Sequence, residues 1–460
     1  ASLLMGVHDS HSRSYTQTNG GLVITAEQQG WSNEELEKKA ARAARIKPSG
    51  GEVFLPELLK KAGYVTGQFG KLEWGFTTWH GELKRHGWDR YVGYMDHQRA
   101  HGYYPSFLWK DGERLPLPGN THADGGKTPE IYGPGATEKR RGNRDGKVTY
   151  APDAMLAETL KFMEENRNRP MFILFSTNLP HGPVDIPPAE NKYAGHPAIR
   201  QAYAGAAGGN RECAGAAEEY ASMVDKLDRQ VGAILAQVHK LGLEKRTIIV
   251  FSSDNGHELY YRTDKERGRG LNCHGGVLDG TGELLDVFRG SRGLIGQKNA
   301  MVNLAGLKWT NHEGGIRIPL IVSWPGTVPH GKVCRSLVAS YDHMATFAEL
   351  AGVGMPEGKD SVSYKNMLFG KPSSQRDYVV VDHTVITGDG WKLTHKQDKW
   401  LLFQISSDPE ERHNLAETRK DQLERLQAIY RKEAGSPRKD RQKPEQPRKT
   451  ALFPPLAFAG

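Results

Sequence analysis

The sequence predicts an α/β fold, with a large doubly wound, mostly parallel sheet domain followed by a smaller C-terminal antiparallel α+β domain. Three observations carry this. Helix-then-strand units repeat along the first three quarters of the chain. Their strands are short apolar runs of the kind buried on both faces, and each stops on polar residues. Beyond about Gly354 the pattern changes to short strands joined by tight turns, with one charged helix.

The first unit is a helix from Leu55 to Ala62, with Pro56 early and Gly63 as its stop, followed by a strand from Tyr64 to Phe69 that runs into Gly70-Lys71. Before it, residues 7–50 are polar, with a predicted helix around Asn33 to Arg45. Residues 76–118 are aromatic-rich and read as loop, including His101-Gly102-Tyr103-Tyr104-Pro105, and 119–149 lacks apolar periodicity and reads as a surface excursion. The second unit is a helix from Asp153 to Asn166, with Met155, Thr159, Phe162 and Met163 at helical spacing. The strand Met171 to Ser176 follows it and ends on Asn178-Leu179-Pro180-His181-Gly182-Pro183. The third is a helix from Glu218 to Leu241, with Met223, Leu227, Val231, Ile234, Leu235 and Val238 on one face. It feeds Thr247 to Ser253, which reads as a buried parallel strand and stops on Asp254-Asn255-Gly256. Residues 262–307 are Gly- and Arg-rich and read as rim loop. A strand from Leu320 to Trp324 and a helix from Asp342 to Ala351 complete the large domain. Strands at Tyr378–Asp382, Trp391–His395 and Trp400–Ile405 and a helix from about Glu417 to Lys432 form the small one. The expected boundaries are 1–354, 355–432 and a basic tail, 433–460.

The bulk properties narrow the function classes. At 460 residues the chain is long enough for two cores, and no apolar run approaches the length of a membrane span. The net charge is +8, but Arg431 to Lys449 holds eight Lys/Arg against three Asp/Glu, which leaves only about +3 on the body. No nucleic-acid footprint is indicated, and the Pro-, Lys- and Arg-rich tail reads as a solvated extension. Cys213, Cys273 and Cys334 are too few for a disulfide framework and lack C-x-x-C spacing. Gly268-x-Gly270 is followed by Cys273 where a dinucleotide fingerprint needs Gly, and there is no phosphate-binding G-x-x-x-x-G-K-[ST] motif. The chain starts at Ala1 with no initiator Met and no leader pattern, so it is expected to be processed or incomplete.

In open α/β sheets ligands bind beyond the carboxyl ends of the strands. Lys71, His181, and Asp254 with Asn255 all follow strands, and Lys308 and Glu313 precede a fourth. A carboxylate and an amide oxygen suit a hard cation. Ammonium and imidazole groups around it suit an oxyanion ester. Each also has a structural explanation, as turn, solvated lysine or loop-packing histidine; their joint placement at strand ends favours a site.

Several strings in order resemble type I sulfatases, the formylglycine-dependent branch of the alkaline phosphatase superfamily. Leu58-Leu59-Lys60-Lys61-Ala62-Gly63-Tyr64 into Phe69-Gly70-Lys71 carries the resemblance first, and Asp96 to Pro105 with Trp109-Lys110-Asp111-Gly112 carries it next. It continues through Pro180-His181-x-Pro183, Ser253-Asp254-Asn255-Gly256, and Lys308 with Glu313-Gly314-Gly315-x-Arg317-x-Pro319. Asp408-Pro409-x-Glu411-x-x-Asn414-Leu415 completes the set, and the coverage runs from Ala1 to about Lys432. The resemblance implies hydrolysis of a sulfate monoester, either an aryl sulfate or a sulfated carbohydrate. By it, Asp254 and Asn255 are calcium ligands, with Mg2+ as the alternative ion, and Lys71, His181 and Lys308 are catalytic residues contacting the sulfate. It also implies a sulfated small molecule or glycan as partner and an extracytoplasmic location, periplasmic or secreted.

The sequence departs from this family at the nucleophile. Members make formylglycine from the Cys of C-x-P-S-R and continue x-S-L-L-T-G, whereas this chain opens Ala1-Ser2-Leu3-Leu4-Met5-Gly6, and none of its three cysteines stands in such a motif. The formylglycine, a first central strand and two acidic metal ligands are therefore expected upstream of Ala1, and the chain as it stands is expected to be an inactive fragment. Glu73 replaces a frequent histidine, His257 is a possible neighbour of the metal site, and His11 falls where members have a histidine after the nucleophile helix. Two alternatives stand beside this reading: a phosphoesterase of the same superfamily, and a nucleophile-less protein that binds sulfated glycans.

Overall fold

The computed structural model describes residues 2–11, 25–26, 29–32, 34–36, 38–39, 52–71, 80–97, 99–121, 145–182, 184–204, 211–256, 270–271, 277–278, 304–305, 308, 310–371, 376–396 and 398–434. Glu73, His257, most of 262–307 and the tail beyond 434 lie outside the described residues, as does most of the helix expected at Asn33 to Arg45.

In chain order the elements begin with α1 (Ser2–Met5), α2 (Leu55–Lys61), β1 (Val65–Gly70), α3 (His80–Arg85), β2 (Arg90–Gly93), β3 (Phe107–Lys110) and β4 (Glu113–Pro116). They continue with α4 (Ala151–Glu165), β5 (Met171–Ser176), α5 (Pro197–Ala204), α6 (Arg211–Lys240), β6 (Ile249–Ser252), β7 (Gly270–Leu271) and β8 (Val277–Leu278). Then come α7 (Glu313–Ile316), β9 (Leu320–Ser323), α8 (Asp342–Ala351), α9 (Lys365–Leu368), β10 (Tyr378–Val381), β11 (Thr384–Thr387), β12 (Trp391–Lys396), β13 (Lys399–Gln404) and α10 (Lys420–Ala434).

The first unit folds for local reasons visible in its residues. Pro56 sits in the first turn of α2, where its missing N–H is not needed, and the Glu57 carboxylate accepts the Phe54 N–H at 2.9 Å. Gly63 takes φ +83° after the helix, and β1 follows with every residue buried. In α4 the predicted stripe of Met155, Thr159, Phe162 and Met163 is buried. Met155 and Phe162 pack with Val65, Phe69 and Val92 of the sheet in one cluster.

The main sheet has the order β4-β3-β2-β1-β5, parallel at β1–β2 and β1–β5 and antiparallel at β2–β3 and β3–β4. It is a mixed, mostly parallel α/β core. Two expectations are corrected. Within the stretch 76–118 expected as loop, the described residues from His80 on supply α3 and three strands that extend the sheet. Their periodicity is hard to see because each strand is only four residues long and rich in aromatic residues, with Tyr91, Phe107 and Trp109 buried. The run Thr247 to Ser253 is shorter as a strand and, among the described residues, pairs antiparallel with β9. Its side chains are half-buried rather than fully enclosed.

β5 pairs with β1 on one side, and β6 pairs with β9. Between them lies a cavity of about 3700 Å3 lined by both strands and by Leu227, Val231 and Ile234 of α6. It accounts for the half-buried state of β5 and for the exposure of Leu235, which the sequence pattern placed on the core face.

The C-terminal part is a four-stranded antiparallel meander, β10-β11-β12-β13. It has one strand more than expected because β11 is reached by a two-residue turn at Asp382-His383, with Asp382 at φ +48°. Leu426 and Tyr430 of α10 pack on Val385, Leu393 and Leu402.

Candidate active site

β1 and β5 are parallel neighbours, so their carboxyl ends open on the same rim. Gly70 ends β1 with φ +128°, and a Cβ there would sit 2.0 Å from the Ser176 carbonyl oxygen, so only glycine fits. This close approach lets the Lys71 N–H donate to Ser176 O at 2.7 Å. The Lys71 carbonyl in turn accepts from Gln68 Nε2 at 2.6 Å and Ser176 Oγ at 2.9 Å. Lys71 is thereby held by its backbone beside the end of β5.

His181 is carried five residues beyond that end. Its N–H donates to Asn178 O at 2.7 Å, and Asn178 itself is buried, its amide donating to Tyr94 Oη and Ala100 O, both at 3.0 Å. The Tyr103 hydroxyl donates to Asn178 O at 3.0 Å and to the His181 carbonyl. The His101 ring stacks on that of His181 with centroids 4.7 Å apart. The His101–Pro105 string was thus visible as a motif, but its role as the floor beneath His181 was not. Asn178 carries a sequence signal of its own, an amide two residues past an apolar strand in Asn178-Leu179-Pro180-His181.

The ring of His181 is oriented by Nδ1, which lies 2.5 Å from the Gly182 carbonyl oxygen. A carbonyl only accepts, so Nδ1 carries the hydrogen and Nε2 is the atom available for chemistry. Lys308 Nζ lies 3.4 Å from that Nε2. The two residues come from segments 127 positions apart.

Asp254 and Asn255 form the turn after β6. Asp254 is exposed and Asn255 half-exposed, and both line the cavity with Lys71 and His181. Asn255 Nδ2 donates to Gly256 O at 2.8 Å, which leaves the amide oxygen as its ligand-competent atom. A carboxylate and an amide oxygen side by side are the donor set of a hard cation and fit Ca2+ or Mg2+; they supply two of the six to eight oxygens calcium takes.

The turn is fixed against the segment that follows Lys308. Gly256 N donates to Gly315 O at 2.9 Å, Gly314 N donates to Ala305 O at 2.7 Å, and a Cβ on Gly256 would lie 2.1 Å from Gly314 O. Glu313 does not join the candidate site through its carboxylate. It is buried and paired with Lys392 Nζ at 3.1 Å, which also lies 3.0 Å from Glu411 Oε1. Glu411 Oε1 accepts the Glu313 N–H at 2.6 Å and Glu411 Oε2 lies 2.8 Å from His312 Nδ1. Burial pushes the Glu411 carboxyl up, but the His312 hydrogen bond and the charge of Lys392 outweigh it and hold it below its ordinary range. The sheet that follows therefore anchors α7, and α7 anchors the Asp254 turn. His11 is not brought to this rim through its ring contacts; it bonds Asp360, with Nδ1 2.7 Å from Oδ1. Cys334 is exposed, while the side chains of Cys213 and Cys273 lie outside the described residues.

Comparison with known proteins identifies the family. The sulfatase family model matches residues 12–353, and that for the N-sulphoglucosamine sulphohydrolase C-terminal region matches 308–434. The chain is 26% identical over 310 residues to the N-acetylgalactosamine-6-sulfatase of Canis lupus familiaris, covering 67% of this chain and 46% of that protein. It is 26% identical over 226 residues to the N-acetylgalactosamine-6-O-sulfatase of Bacteroides thetaiotaomicron, covering 44% and 39%. The matched region thus spans about half or less of each relative's length. Among solved structures the fold is similar to Ps i-CgsB in complex with k-i-k-neocarrahexaose, with TM-score 0.62, 19% identity, and 97% and 86% of the two chains covered. It is also similar to a protein in complex with its substrate D-glucosamine-2-N,6-O-disulfate, with TM-score 0.56, 17% identity, and 96% and 90% covered. With the family model spanning well over half of its length, this chain belongs to the sulfatase family.

Proposed function

We propose that the rim formed by Lys71, His181 and Lys308, with Asp254 and Asn255, is the sulfate-ester site of a sulfuric ester hydrolase acting on a sulfated carbohydrate, an amino-sugar sulfate foremost, with aryl sulfates as simpler substrates. The observation that carries this reading is the approach of Lys308 Nζ to His181 Nε2 at 3.4 Å, beside Lys71 at the adjoining strand end. Two ammonium donors beside an imidazole nitrogen suit a sulfate group, which is acceptor-only. The names of the amino-sugar sulfatases among the relatives support the substrate class.

The residues divide the work by their chemistry. The Lys71 and Lys308 ammonium groups donate to sulfate oxygens and stabilise the charge that builds as the S–O bond breaks. His181, its Nδ1–H committed to Gly182 O, moves a proton only at Nε2, so the proton needed by the departing alcohol oxygen passes through that atom. Asp254 and the Asn255 amide oxygen would hold Ca2+, which supplies fixed positive charge for the sulfate when bound. The nucleophile of this reading is a formylglycine; Cys213, Cys273 and Cys334 do not stand in C-x-P-S-R, and no step is assigned to them. An extracytoplasmic setting belongs to the same reading.

Calorimetric titration of the 460-residue protein with N-acetylgalactosamine-6-sulfate, with and without calcium, tests it. Calcium-dependent binding that Lys308→Ala weakens at least about tenfold is the expected result, the scale of one charge-assisted contact. Equal or tighter binding of the corresponding phosphate ester would replace the reading with a phosphoesterase site. No binding of either would remove it.

A further inference from the structure

We propose that His8, His11, Asp360 and Glu433 form a second, separate site for a divalent transition-metal ion, zinc foremost, that ties the first loop of the chain to the C-terminal helix. One ligand atom from each of the four residues can be chosen so that all lie within 4.8 Å of one another. They come from three distant segments: the loop after α1, the loop after α8, and the last turn of α10.

The backbone builds the cluster before any ion is considered. Gly6 turns the chain after α1 with φ +65°, and its carbonyl accepts the Asp360 N–H at 2.9 Å. Asp360 Oδ2 then accepts the His8 N–H at 2.9 Å, and Arg376 Nη2 donates to the Asp360 carbonyl at 2.6 Å. On the opposite side Glu433 Oε1 is held by the Tyr378 hydroxyl at 2.5 Å and Lys432 Nζ at 2.8 Å, which leaves Oε2 toward the histidines. Outer partners that orient a carboxylate in this way are the usual support of a metal ligand.

His11 Nδ1 is hydrogen-bonded to Asp360 Oδ1 at 2.7 Å, which orients the ring, while the separations that involve His8 Nε2 and His11 Nε2 are those of ligands around an ion rather than of hydrogen bonds. His8 is 4% exposed, and neither of its ring nitrogens has a hydrogen-bond partner. A buried polar atom of this kind requires an explanation. Its Nε2 lies 3.6 Å from Asp360 Oδ2 and 3.7 Å from Glu433 Oε2, and His11 Nε2 lies 3.9 Å from the same Glu433 oxygen. These are too long for hydrogen bonds. They are close to the edge of a tetrahedron with metal–ligand bonds of about 2.1 Å, which is roughly 3.4 Å. The His8 and His11 rings are close neighbours, with centroids 4.0 Å apart and planes tilted by 33°. Two imidazoles with two carboxylates suit zinc and its neighbours, whereas calcium takes oxygen alone. The cluster is thus chemically distinct from the Asp254–Asn255 pair and does not depend on the reading of that pair.

The test uses the whole chain, stripped of metal by chelation and kept in excess calcium so that all-oxygen sites are filled. It is titrated with Zn2+ by calorimetry and with Co2+ by visible absorption. One equivalent of Zn2+ and the intense bands of four-coordinate Co2+ are expected. His11→Asn and Glu433→Gln should each weaken binding at least about tenfold and abolish a zinc-induced rise in Tm. His239→Asn, at an exposed histidine beside Glu244, should change neither. His11 is 40% exposed, so its replacement leaves the fold intact. Absence of stoichiometric zinc, or zinc binding unchanged in His11→Asn, overturns the proposal.

Discussion

Lys308 Nζ lies 3.4 Å from Nε2 of His181, and the contact joins the loop before β9 to the rim beyond β5. Neither residue is held there by its own neighbours in sequence alone. His181 rests on Asn178, Tyr103 and His101, and the segment following Lys308 rests on the Asp254 turn. If the two act on one sulfate group, their effects must couple. In a double-mutant cycle of His181→Ala and Lys308→Ala, read as affinity for a sulfated monosaccharide, the double variant should lose less than the sum of the singles by about 0.5–3 kcal/mol. Strict additivity would mean that the residues serve separate ends.

Gly70 places Lys71, and its replacement should be felt at the site as well as in stability. A methyl group 2.0 Å from Ser176 O forces the β1–β5 rim apart, and φ +128° is strained for any other residue. Gly70→Ala is expected to lower Tm and to weaken sulfate-ester binding beyond the effect of Lys71→Ala. Comparison of both variants by thermal melt and calorimetry checks this, and an unchanged affinity in Gly70→Ala would show that the lysine is positioned by something else.

Lys392 is fully buried between Glu313 and Glu411. Removing its charge strands two carboxylates in the interior. Lys392→Met should cost about 3–5 kcal/mol, the range for breaking one side of a buried pair. Urea unfolding measures it. Because Glu313 begins α7, on which Gly256 packs, the same variant should weaken calcium binding at Asp254 and Asn255.

His343 carries the pH dependence of folding that is easiest to isolate. Burial holds its imidazole down at about 4, from an ordinary 6.5. The unfolded chain therefore binds a proton that the folded chain refuses, and stability falls as pH drops from about 6.5 to 4 and changes little above that window. The size is about 3 kcal/mol, from 1.36 kcal/mol per pH unit. His343→Gln should flatten that part of a urea-midpoint profile between pH 7 and 4.5. An unaltered slope would assign the effect to other groups.

The cavity between β5 and β6 predicts a loosely cooperative chain. Apolar side chains of both strands line it, and no strand bridges them among the described residues. A broad calorimetric transition with strong binding of a hydrophobic dye is expected for the 460-residue protein. A sharp melt without dye binding would show that the two strands close on each other in solution.

Local residue patterns determined a large part of this molecule. The helices at Leu55 and Asp342, the strand Met171–Ser176 and the apolar stripe of α4 were legible because each buries a periodic face or carries its own stop signals. The positions of Lys71 and His181 after β1 and β5 were legible because parallel neighbouring strands open on the same rim. The short strands between Arg90 and Pro116 were not, since four-residue strands show too few repeats of their period. Only the tertiary structure decided that β6 runs antiparallel to β9, that Asn178 and His101 support His181, and that Glu313 turns away to Lys392 and Glu411. The same is true of His8 and His11 meeting Asp360 and Glu433. Apart from Asn178, which is three residues from His181 but is itself held by Ala100, these are pairings over 67 to 425 positions, fixed by how surfaces and charges fit after the chain has folded, and no local pattern encodes them.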